Sequence, residues 1–368
     1  MAPANPTVSD LLARNVLTQR LHVRPKETVI IEAWPTSLPW ANAFVRQSRR
    51  IGAKPVLLYD DEASYWQAVE SGDAQGLGQL GDHEWAALEK TDVYVYFWGP
   101  ENRGRSRALP ETTQEELVGF NGRWYELAAK TGLRGARMEI ARATETNARY
   151  YGVNLRTWQR ELVQASLRNP REYDRPIRKL KRALKDGKTL RIRHPNGTDL
   201  SLGLAGREPL ALDGRVTPET MKRPYGMLVN VPASVVLVAL DESTADGTIL
   251  ANGPNYLSNG AVSGGRWKFS EGRLRGARYA TGGARFRRPY SAAGEGRDRP
   301  GLLEIGLEPA IHIAPELEDC ELGALTVGIG GNVGFGGRTK SSFNSWLTVR
   351  GAELSIDGRV VVRGGRIC

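Results

Sequence analysis

The chain has 368 residues, with 51 Lys and Arg against 41 Asp and Glu and a formal net charge of +10. Hydrophobic residues make up 40%, enough for the cores of two domains of ordinary size, which excludes global disorder. Two Cys exclude a disulfide framework or a Cys-based zinc site, and four His (His22, His83, His194 and His312) leave little material for a His-rich metal centre.

No run of about 18 apolar residues is present, so no membrane helix is expected. The opening Met1-Ala-Pro-Ala-Asn5 lacks the basic-then-apolar layout of a signal peptide, and the expected compartment is the cytoplasm. The positive charge reads as the bias of an Arg-, Gly- and Ala-rich composition rather than as a nucleic-acid footprint.

In chain order, residues 7–20 predict a helix, with Leu11, Leu12, Val16 and Leu17 at helical spacing. Thr28-Val-Ile-Ile-Glu-Ala33 is a continuous β-branched run, the pattern of a strand buried on both faces. A helix over 38–51, a strand over 55–59, helices over 62–71 and 82–90, and a strand over 93–98 follow. A helix over 111–131 and a strand at 137–140 complete the series. Strands alternating with helices predict a doubly wound parallel sheet. Residues 156–186 read as helical and end in a basic run of Arg175, Arg178, Lys179, Lys181, Arg182 and Lys185.

The texture then changes. Lys188–Arg193 and Thr198–Leu204 alternate around His194-Pro-Asn-Gly197, a hairpin signal. We place the boundary at 187, giving an α/β domain over 1–187 and a β-rich mixed domain over 188–368. In 302–313 the odd positions Leu303, Ile305, Leu307, Ile311 and Ile313 are apolar, while Glu304, Glu308 and His312 share the other parity. An extended strand would point those three the same way, although Pro309 suggests a break. Gly328–Gly337, followed by Arg338 and Lys340, has the composition of an anion-binding nest or a tightly packed loop. Basic and aromatic residues interleave over 266–290, as stacking on nucleic acid or an ordinary half-exposed strand would require.

Several segments in order carry a resemblance. They are Gly197-Thr-Asp-Leu200, Gly206-Arg207, Asn230-Val-Pro232, Leu302-Leu-Glu-Ile-Gly306, Gly323–Gly330, Gly331-Asn332, Ser341–Trp346 and Asp357–Gly365. The chain resembles the thermophilic metallo-aminopeptidases of the aminopeptidase T and S type over nearly its whole length. That resemblance implies an α/β N-terminal domain, a β-rich C-terminal domain, a homodimer, and release of N-terminal amino acids by two divalent metal ions. The wider superfamily includes ring-opening iron dioxygenases acting on dihydroxypyridines.

Carried over residue by residue, most of the family's ligands fail. After Asn230-Val-Pro232 the family has a metal-binding Glu, but here the chain runs Ala233-Ser-Val-Val-Leu237 without a carboxylate. The Glu of the next motif survives as Glu304. The following His position holds Thr326, the last His position Asn344, and its Asp position Trp346. No Tyr occurs from 291 to 368 to match the family's catalytic Tyr. One carboxylate among Thr, Asn and Trp does not offset the dehydration and mutual repulsion of two dications.

The expectation is an aminopeptidase-like protein whose vacated cleft binds a peptide, an amino acid or a small anionic metabolite. Glu304 and His312 are the candidate catalytic groups, Glu304 as base or amine anchor, and His312 as the base for Ser341 or Ser345. Glu308, Arg338, Lys340, Ser341, Asn344 and Ser345 are the candidate ligand-binding residues. No metal ligand set and no cofactor is assigned, with Zn, Co or Mg left open. The alternatives are an active metallo-aminopeptidase with a rearranged site, and a nucleic-acid or acidic-partner binder using 175–185 and 266–288.

Overall fold

The structure is a computed structural model that describes residues 6–223, 226–257 and 259–368. Two compact units emerge, one of residues 1–170 and 214–232, the other of 171–213 and 233–368. The units part at Pro170 rather than at 187. The helix Asp174–Asp186 joins the second unit because its apolar stripe, Ile177, Leu180 and Leu184, packs into that unit's core. Residues 214–232 return to the first unit, a crossing that local sequence pattern does not encode.

The first unit holds a five-stranded parallel sheet. Its spatial order is Lys54–Tyr59, Thr28–Ala33, Val93–Phe97, Arg134–Met138, Leu228–Val231. The β-branched runs at 28–33 and 93–97 occupy the middle, as burial on both faces demands. The helix Leu38–Ile51 ends at Gly52, whose φ of +88° is the left-handed conformation that closes a helix. The helix expected over 111–131 is two helices, Glu111–Glu116 and Asn121–Thr131, interrupted beside Gly119. The helical run expected over 156–186 is likewise broken, at Pro170, into Leu155–Leu167 and Asp174–Asp186.

The second unit is built on two antiparallel sheets, one of eight strands and one of five. The hairpin forms as Thr189–His194 and Thr198–Gly203, with Arg193 opposite Asp199. Apolar faces of both sheets meet in one core: Ile192, Leu200, Ile249, Trp267 and Leu354 from the first, and Val236, Leu303, Ile305, Val327 and Leu347 from the second. The aromatics of 266–290 belong to this core. Trp267, Phe269 and Phe286 are buried, and Tyr279 and Tyr290 pack against them. The interleaving is thus that of a half-exposed hairpin, Arg266–Ser270 and Arg273–Arg278, followed by the helix Gly283–Ala292, with the aromatic rings turned to the core.

No helix among the described residues is long and apolar enough to cross a membrane.

Candidate functional site

The five-stranded sheet of the second unit runs Asn344–Val349, Leu325–Gly330, Pro300–Gly306, Val235–Ala239, Leu210–Leu212. Its register sets one row straight across: Thr348, Thr326, Glu304, Leu237, Leu210. Neighbouring residues of opposite parity (Leu303, Val327, Leu347) face the core, so this row lies on the other side of the sheet. Thr326 and Thr348 are fully buried, and their hydroxyls bond each other at 2.8 Å.

Glu304 faces Glu318 and Asp319. Burial, then the charges of Asp319 and Glu318, push its carboxyl well above the ordinary range. Glu318 is pushed up to about 8 by burial first and by Asp319 second, against the backbone N–H of Tyr256, which donates to its Oε1 at 2.8 Å. Its Oε2 is buried without a hydrogen-bond partner among the described residues. Both glutamates thus hold their protons more tightly than an exposed carboxyl does. A neutral carboxyl donates a hydrogen bond, whereas it is a poor base and a poor electrostatic anchor for an amine.

The strand carrying Glu304 ends at Gly306, where the backbone of 319–321 comes so close that any side chain would collide with it. The next amides turn away, Leu307 N–H to the Ser234 carbonyl and Glu308 N–H to that of Cys320. Extended alternation therefore does not reach Glu308 or His312. Glu308 is fully buried, accepting from the Tyr173 hydroxyl and from the Ala310 N–H at 2.8 Å. His312 is exposed, its Nδ1 3.5 Å from Oε1 of Glu321, whose Oε2 accepts from Arg350 Nε at 2.6 Å. Glu304 thus stands near Glu318 and Asp319, Glu308 against Tyr173, and His312 beside Glu321.

The other predicted residues also separate. Ser345 has the parity of Leu347 and so lies on the core face, opposite Glu304, with a buried Oγ that has no partner among the described residues. Asn344 shares the parity of Thr348 but is exposed at the strand start, paired with Gly330. Ser341 accepts from the Phe343 N–H at 3.2 Å, a local turn bond. Lys340 is exposed. The Gly-rich loop does embrace an anion, but one of its own chain. The N–H of Arg338 and Nδ2 of Asn332 donate to Glu242 Oε1 at 2.7 and 3.0 Å, and Arg207 Nη2 to its Oε2 at 2.5 Å. Burial alone would raise Glu242, but these bonds hold it down at about 2.

Sequence reasoning missed Glu318, Asp319 and the Thr326–Thr348 bond. The acidic spacing of 316–321 was the one available signal, and only the fold brings it against Glu304. The positions that the resemblance aligns with the family's ligands, Glu304, Thr326, Asn344 and Trp346, offer one carboxyl and no imidazole. Among the described residues no group of three or more His, Cys, Asp or Glu side chains is arranged to hold a metal ion.

No family model and no curated protein matches the sequence. Among solved structures, the chain is similar to wild-type AmpT from Thermus thermophilus, with a TM-score of 0.73 and 18% identity over 98% of each chain. It is also similar to 2,5-dihydroxypyridine dioxygenase from Pseudomonas putida, with a TM-score of 0.56 and 15% identity over 98% of this chain and 96% of that one. At these identities the likeness establishes architecture alone, and the chain has an aminopeptidase T-like fold.

Proposed function

We propose that this protein keeps the aminopeptidase-type scaffold without its dinuclear metal chemistry and binds a small ligand beside Glu304. The observation that supports this reading is the row Thr348–Thr326–Glu304. Thr326 stands where the resemblance places a metal-binding His, and its hydroxyl is committed to Thr348. The protonated carboxyl of Glu304 would then donate to an acceptor on the ligand, a carbonyl or carboxylate of a peptide, an amino acid or a small organic anion. Chemistry at the site, where present, would rest on hydrogen-bond donation rather than on a metal-bound nucleophile.

The test titrates N-acetyl-leucine, which carries a carboxylate and no ammonium, into the purified chain at neutral pH by calorimetry. Glu304→Leu should remove binding, while Glu304→Gln, which keeps a donor in place, should weaken it by less than about tenfold. Stoichiometric Zn or Co in the purified protein, together with hydrolysis of an aminoacyl amide, would overturn the proposal.

A further inference from the structure

The parallel sheet of the first unit carries a second polar row. Its register aligns Leu58, Glu32, Tyr96, Arg137 and Asn230 across all five strands, one residue from each, near their carboxyl ends. The row lies on one face. Two residues earlier the same face holds Ile30 and Tyr94, which pack with Trp85, Leu88 and Trp124. That cover stops short of the row, because Glu32, Tyr96 and Arg137 are partly exposed and Asn230 is exposed. Strand 28–33 lies between its sequence successor 54–59 on one side and strand 93–97 on the other. Connections therefore leave in opposite directions between 28–33 and 93–97, the point at which open α/β sheets form a crevice beyond their strand ends.

The two ends of the row differ in charge. At one end Glu32 is bonded to Asp60, which follows strand 54–59, and accepts from the Tyr94 hydroxyl. Two carboxyl groups in contact hold a proton between them once one has ionised, and share the remaining charge. Burial first, then the charge and hydrogen bond of Asp60, raise Glu32 well above its ordinary range. Burial and Glu84 raise Asp60 as well. Asp60 Oδ2 is out of water and has no hydrogen-bond partner among the described residues, which leaves an acceptor open.

At the other end stands Arg137, whose guanidinium bonds the Tyr125 hydroxyl and lies 5.7 Å from the Trp98 ring centre. Among the described residues it has no carboxylate partner. An unpaired guanidinium presents a fork shaped for a carboxylate. Glu32 and Arg137 sit two strands apart, about 10 Å between backbones. The interval is bridged by Tyr96, whose hydroxyl donates to the Gly99 carbonyl at 3.3 Å.

We propose that the first unit binds a small zwitterion, a free α-amino acid or a short peptide, with its ammonium on the Glu32–Asp60 pair and its carboxylate on Arg137. This site is built entirely within the first unit and does not depend on the reading of Glu304.

The experiment titrates free leucine into the full chain carrying Glu304→Leu, which removes the site proposed in the second unit, by calorimetry at low salt and neutral pH, alongside its two one-charge analogues, isoamylamine and 4-methylpentanoate. Leucine should saturate, and each analogue should bind at least about tenfold more weakly. Added to the Glu304→Leu background, Arg137→Gln and Glu32→Gln should each weaken leucine binding by about tenfold or more. Thermal melts check that each variant is folded. Should Glu32→Gln fail to fold, the partly exposed Arg137 decides through its Gln variant alone. Absence of leucine binding up to about 10 mM would overturn the proposal. Equal binding of the one-charge analogues, or undiminished leucine affinity once Arg137→Gln is added, would do so too.

Discussion

The buried hydroxyl pair in the Glu304 row permits a quantitative test. Thr326 and Thr348 are both fully buried and bonded at 2.8 Å. Valine has nearly the shape of threonine, so Thr326→Val removes one bonding partner with little change in packing. The remaining Thr348 hydroxyl is left in an apolar environment, at a cost of about 1–3 kcal/mol. The new methyl returns about 0.8 kcal/mol through burial. The net expectation is about 1–2 kcal/mol of destabilisation. Thr348→Val should cost less. It leaves Thr326, which has Glu304 as its other neighbour in the row, whereas Thr348 is on the outermost strand of the sheet. The double variant leaves no orphan and buries two methyls, so it should fall near wild type, with a coupling of about 2 kcal/mol between the sites. Urea melts of the four proteins, compared at their midpoints with a common slope, measure the cycle. Additive single effects, within about 0.5 kcal/mol, would show that the hydroxyls do not act as a pair and would refute the reasoning.

Three further outcomes follow from the same geometry. Glu242, held at about 2 against an ordinary value of 4.5, contributes stability that is fully present above 4.5 and lost as pH falls toward 2. Glu242→Gln should cost about 1–2 kcal/mol at neutral pH, and a melting-temperature gap from wild type that persists at the acid end would contradict this. Glu318 behaves oppositely: raised from 4.5 to about 8, it stabilises the fold below 4.5, and that contribution disappears as pH rises through 8. Glu318→Gln should therefore melt progressively higher than wild type as pH increases across that window, and a pH-independent difference would count against a buried, protonated Glu318. A Cβ on Gly99 would fall inside the Trp34 ring, so Gly99→Ala should destabilise the first unit by about 1–3 kcal/mol. A thermal melt unchanged within experimental scatter would show that Trp34 can yield.

The sequence by itself determined whatever depends on local periodicity. The continuous apolar runs of 28–33 and 93–97 specified central parallel strands. The helix at 38–51 and the hairpin at 189–203 carried their own start, stop and turn signals. The ordered motifs from 197 to 365 were enough to point to the architecture later seen in the likeness to AmpT.

Tertiary structure decided which side chains share a neighbourhood. Parity along 302–313 grouped Glu304 with Glu308 and His312. Periodicity holds only while a strand continues, and this one stops at Gly306, where long-range packing of 319–321 leaves no room. Two separate motifs of the resemblance put Glu304 and Ser345 in one expected cleft, yet the pairing register places them on opposite faces of the sheet. Glu32, Asp60 and Arg137 lie far apart in the chain, and no spacing rule connects them. Only the parallel register of four adjacent strands brings the carboxyl pair and the guanidinium to one sheet edge. Hydrophobic period is a property of each segment alone, whereas a polar site is made by non-local pairing, and pairing is fixed by the fold as a whole.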